Sequence, residues 1–202
     1  MAAKRLDLTI LQGETFQRVI RWEALPYVYK AITAITQAAP AVFTVTAHGF
    51  TTGWRAAPVS VKGMTEINTQ NVPTRDSDMR QVTVVDPNTV NINSINSSDF
   101  SAYTSGGYLQ SYTPVDLTGY DAVMEIKDRV GGTLLFTLSV ANGRIVIDAS
   151  QRTITLNVAY ADVESSVITW TKGVYDLEMK APTGAKTRIF QGNINVSREV
   201  TT

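Results

Sequence analysis

Pro114-Val115-Asp116-Leu117-Thr118-Gly119-Tyr120-Asp121-Ala122-Val123-Met124-Glu125-Ile126-Lys127 reads as a turn that launches a strand. Pro114 fixes its φ, the Asp116 and Thr118 side chains reach nearby backbone amides, and Gly119 accepts a positive φ. From Asp121 the chemistry alternates. Ala122, Met124 and Ile126 share one side while Asp121, Glu125 and Lys127 share the other, which is the period of a strand with one buried face. After Arg129 and Val130, Gly131-Gly132 closes a hairpin into Leu134, Leu135, Phe136 and Leu138.

Downstream the alternation continues in short units separated by turns. Ile145 and Ile147 follow Asn142-Gly143; Ile154, Leu156 and Val158 follow residues 149–152. Tyr175, Leu177 and Met179 follow Lys172-Gly173, and Phe190, Ile194 and Val196 follow Pro182-Thr183-Gly184. Close, regular turn spacing of this kind is the signature of a sandwich or barrel. Between Ala159 and Ile168 the period relaxes, and Asp162-Val163-Glu164-Ser165-Ser166 predicts a short helical turn or a loop crossing between sheets. Tyr175, two residues before the inward Leu177, is placed like the tyrosine corner of immunoglobulin-type sandwiches, with its hydroxyl on upstream backbone.

Upstream, residues 6–22 form two strands about the Gln12-Gly13-Glu14 turn, with Leu6, Leu8 and Ile10, then Phe16, Ile20 and Trp22, on the inward faces. Arg18 interrupts the second row. Either it lies on a half-open edge, or Val19 enters the buried set through a bulge. Residues 23–29 contain Pro26 and lose the alternation, as a linker would. From about residue 31 to 110 the composition shifts to Thr, Ser, Asn, Val and Gly with few charges. Short strands are expected at 31–36, 41–47, 59–61, 81–85 and 89–95, with Asp86-Pro87-Asn88 as a hairpin turn. Residues 68–80 have no apolar period and read as a mobile loop.

The 202 residues, 44% hydrophobic, suffice for one large all-β domain or two small ones. Eighteen basic residues balance eighteen acidic ones, so no global field draws the chain to nucleic acid or an anionic membrane. Neutrality also does little to keep copies apart. The absence of cysteine removes disulfides, thiolate nucleophiles and thiolate metal sites together. The residues after Met1 carry charge but no long apolar run, so neither a signal peptide nor a membrane anchor is expected there. Synthesis in the cytoplasm of whatever cell expresses the chain follows from that expectation.

Few residues suggest chemistry. His48 is the single histidine, and its expected role is to bond the backbone of the His48-Gly49 corner rather than to act as base or ligand. Asp116, Asp121, Asp128, Asp148 and Asp176 are spread over turns and outward positions, without a calcium-loop spacing. Gly106-Gly107 and Gly131-Gly132 lack the lysine and helix of a phosphate cradle and are turns. Trp22 and Trp170 read as core or interface packing, with a sugar-stacking platform as the competing role. Trp54 and Arg55 differ. They sit together in a loop, the pairing that interface hot spots favour, although Trp54 covering a small local core fits equally well.

Two resemblances rest on particular residues. Residues 6–22, then Val115-Asp116-Leu117-Thr118-Gly119-Tyr120, Gly173-Val174-Tyr175-Asp176-Leu177 and Phe190-Gln191-Gly192 through Glu199-Val200-Thr201, resemble the N-terminal domain of the phage baseplate upper protein. That resemblance implies an immunoglobulin-like β-sandwich serving as a structural or attachment module of a virion. The middle resembles the first catalytic cysteine half-domain of ubiquitin-activating enzymes, through Ile32-Thr33-Ala34-Ile35-Thr36, Val45-Thr46-Ala47-His48-Gly49-Phe50, Gly53, Gly63-Met64-Thr65-Glu66-Ile67-Asn68, Val82-Thr83-Val84-Val85-Asp86 and residues 100–107. A chain without cysteine forms no thioester, so no catalytic role comes with it.

Together these readings predict an all-β chain: an immunoglobulin-like β-sandwich from residues 1–29 and 113–202, interrupted by an inserted small β-barrel-like domain at 30–112. Residues 22 and 115 should then meet at one end of the sandwich. The expected function is that of a non-enzymatic adaptor in a tailed-phage virion, joining tail or baseplate components. Capsid decoration, head–tail joining and carbohydrate binding for host attachment are the alternatives. No cofactor, metal, nucleic acid or membrane is expected. Partners are other virion proteins and further copies in a ring, because residues 187–196 carry few charges beyond Arg188 and look like a free edge. The contact surface is expected at Trp54 and Arg55, beside the 68–80 loop.

Overall fold

The computed structural model of the chain describes residues 3–164 and 167–198. Its strands begin with β1 (Lys4–Arg5), β2 (Leu8–Leu11), β3 (Phe16–Arg21), β4 (Glu23–Ala31), β5 (Ala34–Ile35) and β6 (Ala41–Thr44). They continue with β7 (Arg55–Val59), β8 (Arg80–Gln81), β9 (Thr83–Asp86), β10 (Thr89–Ile92), β11 (Tyr108–Pro114) and β12 (Asp121–Lys127). The last are β13 (Leu134–Ser139), β14 (Ile145–Asp148), β15 (Thr153–Val158), β16 (Lys172–Lys180) and β17 (Lys186–Ser197). Only short 3-10 turns accompany them among the described residues, so the all-β expectation holds. The chain divides into two compact units, Met1–Trp22 with Val115–Thr202, and Glu23–Pro114.

The first unit packs two sheets on one core. The larger runs β1-β17-β16-β12-β13, with β2 also on β17, and the smaller runs β14-β15-β3. Alternation delivers the inward rows: Met124 and Ile126 of β12 and Leu177 and Met179 of β16 meet Ile145, Ile154, Leu156 and Ile20 of the other sheet. Each such side chain contributes about 1.5–3 kcal/mol on burial. The orders β3-β15-β14 and β17-β16-β12-β13 are the B–E–D and G–F–C–C′ orders of immunoglobulin-type sandwiches. The second unit therefore occupies the connection between strands B and C. At its root the Val115 amide donates to the Trp22 carbonyl at 3.0 Å, so residues 22 and 115 do meet.

The turn that opens strand β12 forms as its residues dictate. Asp116 Oδ1 accepts from the Thr118 amide at 3.0 Å and from its hydroxyl at 2.7 Å, and Gly119 has φ +71°. These bonds, the hydroxyl's first, hold the Asp116 carboxyl below its usual range. Arg18 is exposed on β3, an edge strand in unbroken register with β15, so the half-open edge accounts for it and no bulge is needed.

Several expectations are corrected. The 23–29 linker is part of strand β4, the longest in the second unit, paired along β11; Pro26 is tolerated because β4 lies at the sheet edge beside a register shift. The unit boundaries accordingly fall at 22/23 and 114/115 rather than 29/30 and 112/113. The inserted unit is not a closed barrel but two open sheets, β5-β6-β10-β9 and β4-β11-β7-β8, around Phe43, Val45, Met64, Val90, Ile92 and Leu109. The last strand, β17, is no free edge, since β16 flanks it on one side and β1 and β2 on the other. The expected turn near residue 162 is the 3-10 turn Tyr160–Asp162, held to the start of β14 by Arg144, whose guanidinium donates to both Asp162 oxygens at 2.8 and 3.2 Å. Ser165 and Ser166 lie outside the described residues.

Candidate interaction surfaces

The sheet β4-β11-β7-β8 carries the functional candidates of the inserted unit, because its pairing aligns tyrosines across strands. Tyr27 faces Tyr112 with ring centroids 4.9 Å apart, and the Tyr27 hydroxyl donates to the Thr74 carbonyl at 3.2 Å. The Tyr112 hydroxyl is held well above its usual pKa, first by the hydrogen bond with Tyr27, then by burial and the Asp76 carboxylate. Beside them Arg55 pairs with the buried carboxylate of Glu23 and lies 3.7 Å from Asp76. Arg55 is therefore a tie between β4, β7 and the loop that follows. Trp54 is only 4% exposed. The expectation of a Trp-Arg pair offered at a loop tip is corrected: Trp54 is held inside the unit, because its amide donates to Thr51 and its carbonyl accepts from Val82.

The 68–80 stretch is likewise no mobile arm. Its polar residues, which broke the apolar period, make the bonds that fix it. Asn68 accepts from the Val61 amide at 2.8 Å and donates to the Val61 carbonyl at 3.0 Å, acting as a surrogate strand partner. Thr74 donates to the buried Gln110 at 2.7 Å, and Met79 is buried. Asp78 accepts from the Arg75 amide and from Asn71, each at 2.7 Å, and the amide in particular keeps its carboxyl below the usual range.

Tyr29 and Tyr108 carry open aromatic area, 54% and 44% exposed, and their rings meet edge to face at 6.0 Å. Sequence reading missed this pair because strands β4 and β11 were not recognised. The available signal was the spacing of Tyr27 and Tyr29 against Tyr108 and Tyr112, which matches two paired strands.

The remaining candidates resolve to structural roles. His48, 2% exposed, accepts the Phe50 amide at Nδ1 (2.9 Å), so Nε2–H donates to the Asp86 carbonyl at 2.7 Å. Its ring holds the corner to the β9–β10 hairpin. Trp22 packs edge to face on Tyr120 at 5.8 Å, and both Trp22 and Trp170 lie against the sandwich core, so the tryptophans form no open stacking platform. Tyr175 is not a tyrosine corner. Its hydroxyl donates to the carbonyl of Leu6, far away in sequence, and burial first, then Asp7, pushes its pKa up. The bond fastens the junction of β1 and β2 across β17, where Leu6 donates to Gln191 at 3.0 Å and Asp7 accepts the Asn193 amide at 2.8 Å. Gly192 permits that approach, since a Cβ there would strike the Leu6 carbonyl. Among the described residues no three His, Cys, Asp or Glu side chains gather as metal ligands, and no helix is long and apolar enough to cross a membrane.

Residues 40–112 match the family model of the ubiquitin-activating enzyme E1 FCCH domain. The match covers less than half of the chain. It spans β6 to most of β11 and leaves out β4 and β5, so Ile32-Thr33-Ala34-Ile35-Thr36 falls outside it. No curated protein matches the chain.

Proposed function

We propose that this protein is a non-enzymatic adaptor of a tailed-phage virion, joining tail or baseplate components through surfaces of its two β units. The observation that supports an interaction role is the Tyr29–Tyr108 pair, two large rings left open on the paired strands β4 and β11. Tyrosine is enriched at protein interfaces because it offers broad contact area and a hydroxyl at little entropic cost. Their near-perpendicular planes, 86° apart, suit an interlocking protein surface better than the flat face of a sugar. Placement in a virion rests on the resemblance of the sandwich stretches to the baseplate protein domain, and copies arranged in a ring follow from the same resemblance. Capsid decoration and head–tail joining use the same physics with other partners.

Mass spectrometry of purified particles, with labelling to locate the chain, tests the placement; absence from the particle defeats it. A Tyr29→Ser/Tyr108→Ser variant tests the surface. Retained folding with lost incorporation is the expected result, and normal incorporation would move the contact elsewhere.

A further inference from the structure

Open sheet edges invite pairing, and proteins discourage it with charge, proline, shortness or cover. Strands β1, β3, β8, β9 and β14 carry charged residues, β4 has Pro26, and β5 has two residues. Strand β2, Leu8–Leu11, also lacks charge and proline, but it faces β3 across a cleft of about 340 Å³. That leaves β13, Leu134-Leu135-Phe136-Thr137-Leu138-Ser139, with no charge and no proline at the free end of the larger sheet. Leu134 is 51% exposed, and Leu135 and Phe136 are only partly covered where they pack against the core.

This edge is occupied from within. The Val140 amide donates to the Ala122 carbonyl at 3.2 Å, so alternate residues turn their backbone groups away from β12. Asn142, in the next turn, takes two of those outward groups: its Nδ2 donates to the Thr137 carbonyl at 3.0 Å and its Oδ1 accepts the Ser139 amide at 2.9 Å. The Asn142 amide in turn donates to the Ser139 hydroxyl at 3.1 Å. One side chain thus supplies the donor and acceptor that a neighbouring strand would bring.

We infer that β13 is the edge on which a second copy of this chain adds, antiparallel, and that Asn142 is the latch holding it shut in the free molecule. A second β13 fits because it brings no charge, so identical strands meet without like-charge repulsion. The antiparallel two-fold arrangement also gives each copy the same contacts. The inference does not depend on a virion role.

Sedimentation of the full chain across a concentration series tests it. Wild type should associate weakly and only at the highest concentrations. Asn142→Ala should tighten the dimer on the order of tenfold for each latch bond removed, at the usual worth of a hydrogen bond. Thr137→Lys, a charge placed on the edge, should abolish association in either background. Asn142→Ala that stays folded by circular dichroism yet dimerises no more tightly than wild type overturns the inference. So does association that survives Thr137→Lys, or a wild type monomeric at every concentration, and these two arms stand even if Asn142→Ala fails to fold.

Discussion

The sandwich and the inserted unit are both largely antiparallel β structures of similar chain length, the sandwich adding β1 and β2 in parallel to β17, but they are held in different ways. In the sandwich, strands of up to twelve residues carry regular inward rows, and β16 alternates buried and exposed positions almost end to end. In the inserted unit the strands of the sheet β5-β6-β10-β9 have four residues or fewer, and side chains complete the pairing around the unit: Asn68 on Val61, Ser97 on Ala38 and Thr36, Asn88 on Ala47 and His48 on Phe50. One unit is specified by apolar period, the other by polar residues at particular turns.

Core truncations probe that difference most strongly. Leu177→Ala and Phe43→Ala both empty fully buried sites and should each cost about 2–5 kcal/mol in their own unit. Two separate transitions in hydrogen exchange are expected, and Leu177→Ala should leave the exchange of the inserted unit in place. Uniform loss of protection in both units would show that they unfold as one.

Tyr175→Phe should cost the sandwich about 1–3 kcal/mol by leaving the Leu6 carbonyl without its donor. Denaturant titration measures it, and an unchanged midpoint would mean that β1 and β2 need no such fastening. In the inserted unit Asn68→Ala should cost about 1–2 kcal/mol, again through unpaired backbone groups, here those of Val61. Limited proteolysis would then cut within residues 68–80 in the variant first; equal resistance would remove the surrogate-strand role.

Acid should blur the comparison with the smallest effect. Asp7, Asp116 and Asp148 in the sandwich and Glu66 and Asp78 in the inserted unit all have carboxyl groups held below their ordinary values of 3.8 and 4.5. Asp7 owes this chiefly to the Asn193 amide, and Asp148 to Ser150. Their contribution is present above those ordinary values and is lost as the pH falls through the lower folded values. Melting temperatures of both units should therefore decline together below about pH 4. A flat profile there would contradict the assignment.

The contrast also explains what could be read from sequence. Where alternation ran for five residues or more, as in Asp121–Lys127, both strand and face were legible. The His48 corner and the Asp116 turn were legible too, because their chemistry is local. Strand β11 was hidden because three consecutive residues, Leu109, Gln110 and Ser111, are buried without alternation, and the polar Gln110 meets Thr74 only once the chain has folded. Trp54 and Arg55 misled for a related reason: a loop position says nothing about Glu23, thirty-two residues away, which engages Arg55. The exposed tyrosines needed the β4–β11 register before they could be seen as a pair.

The meeting of Trp22 and Val115 has a consequence for the order in which the molecule must assemble. While residues 23–114 are unfolded, strands β3 and β12 are separated by a free loop on the order of 90 residues, and bringing its ends together costs about 4 kcal/mol of chain entropy. Once the inserted unit folds, β4 and β11 lie paired with Glu23 opposite Pro114, and that cost has already been met. The coupling has the same size in both directions, because the folded sandwich holds Trp22 and Val115 together and so restrains the ends of the inserted stretch as well. Damage such as Phe43→Ala should weaken the sandwich too, because it reopens the loop. Unfolding of the sandwich weakens the inserted unit by the same amount, because it frees the ends of that uninterrupted stretch of chain.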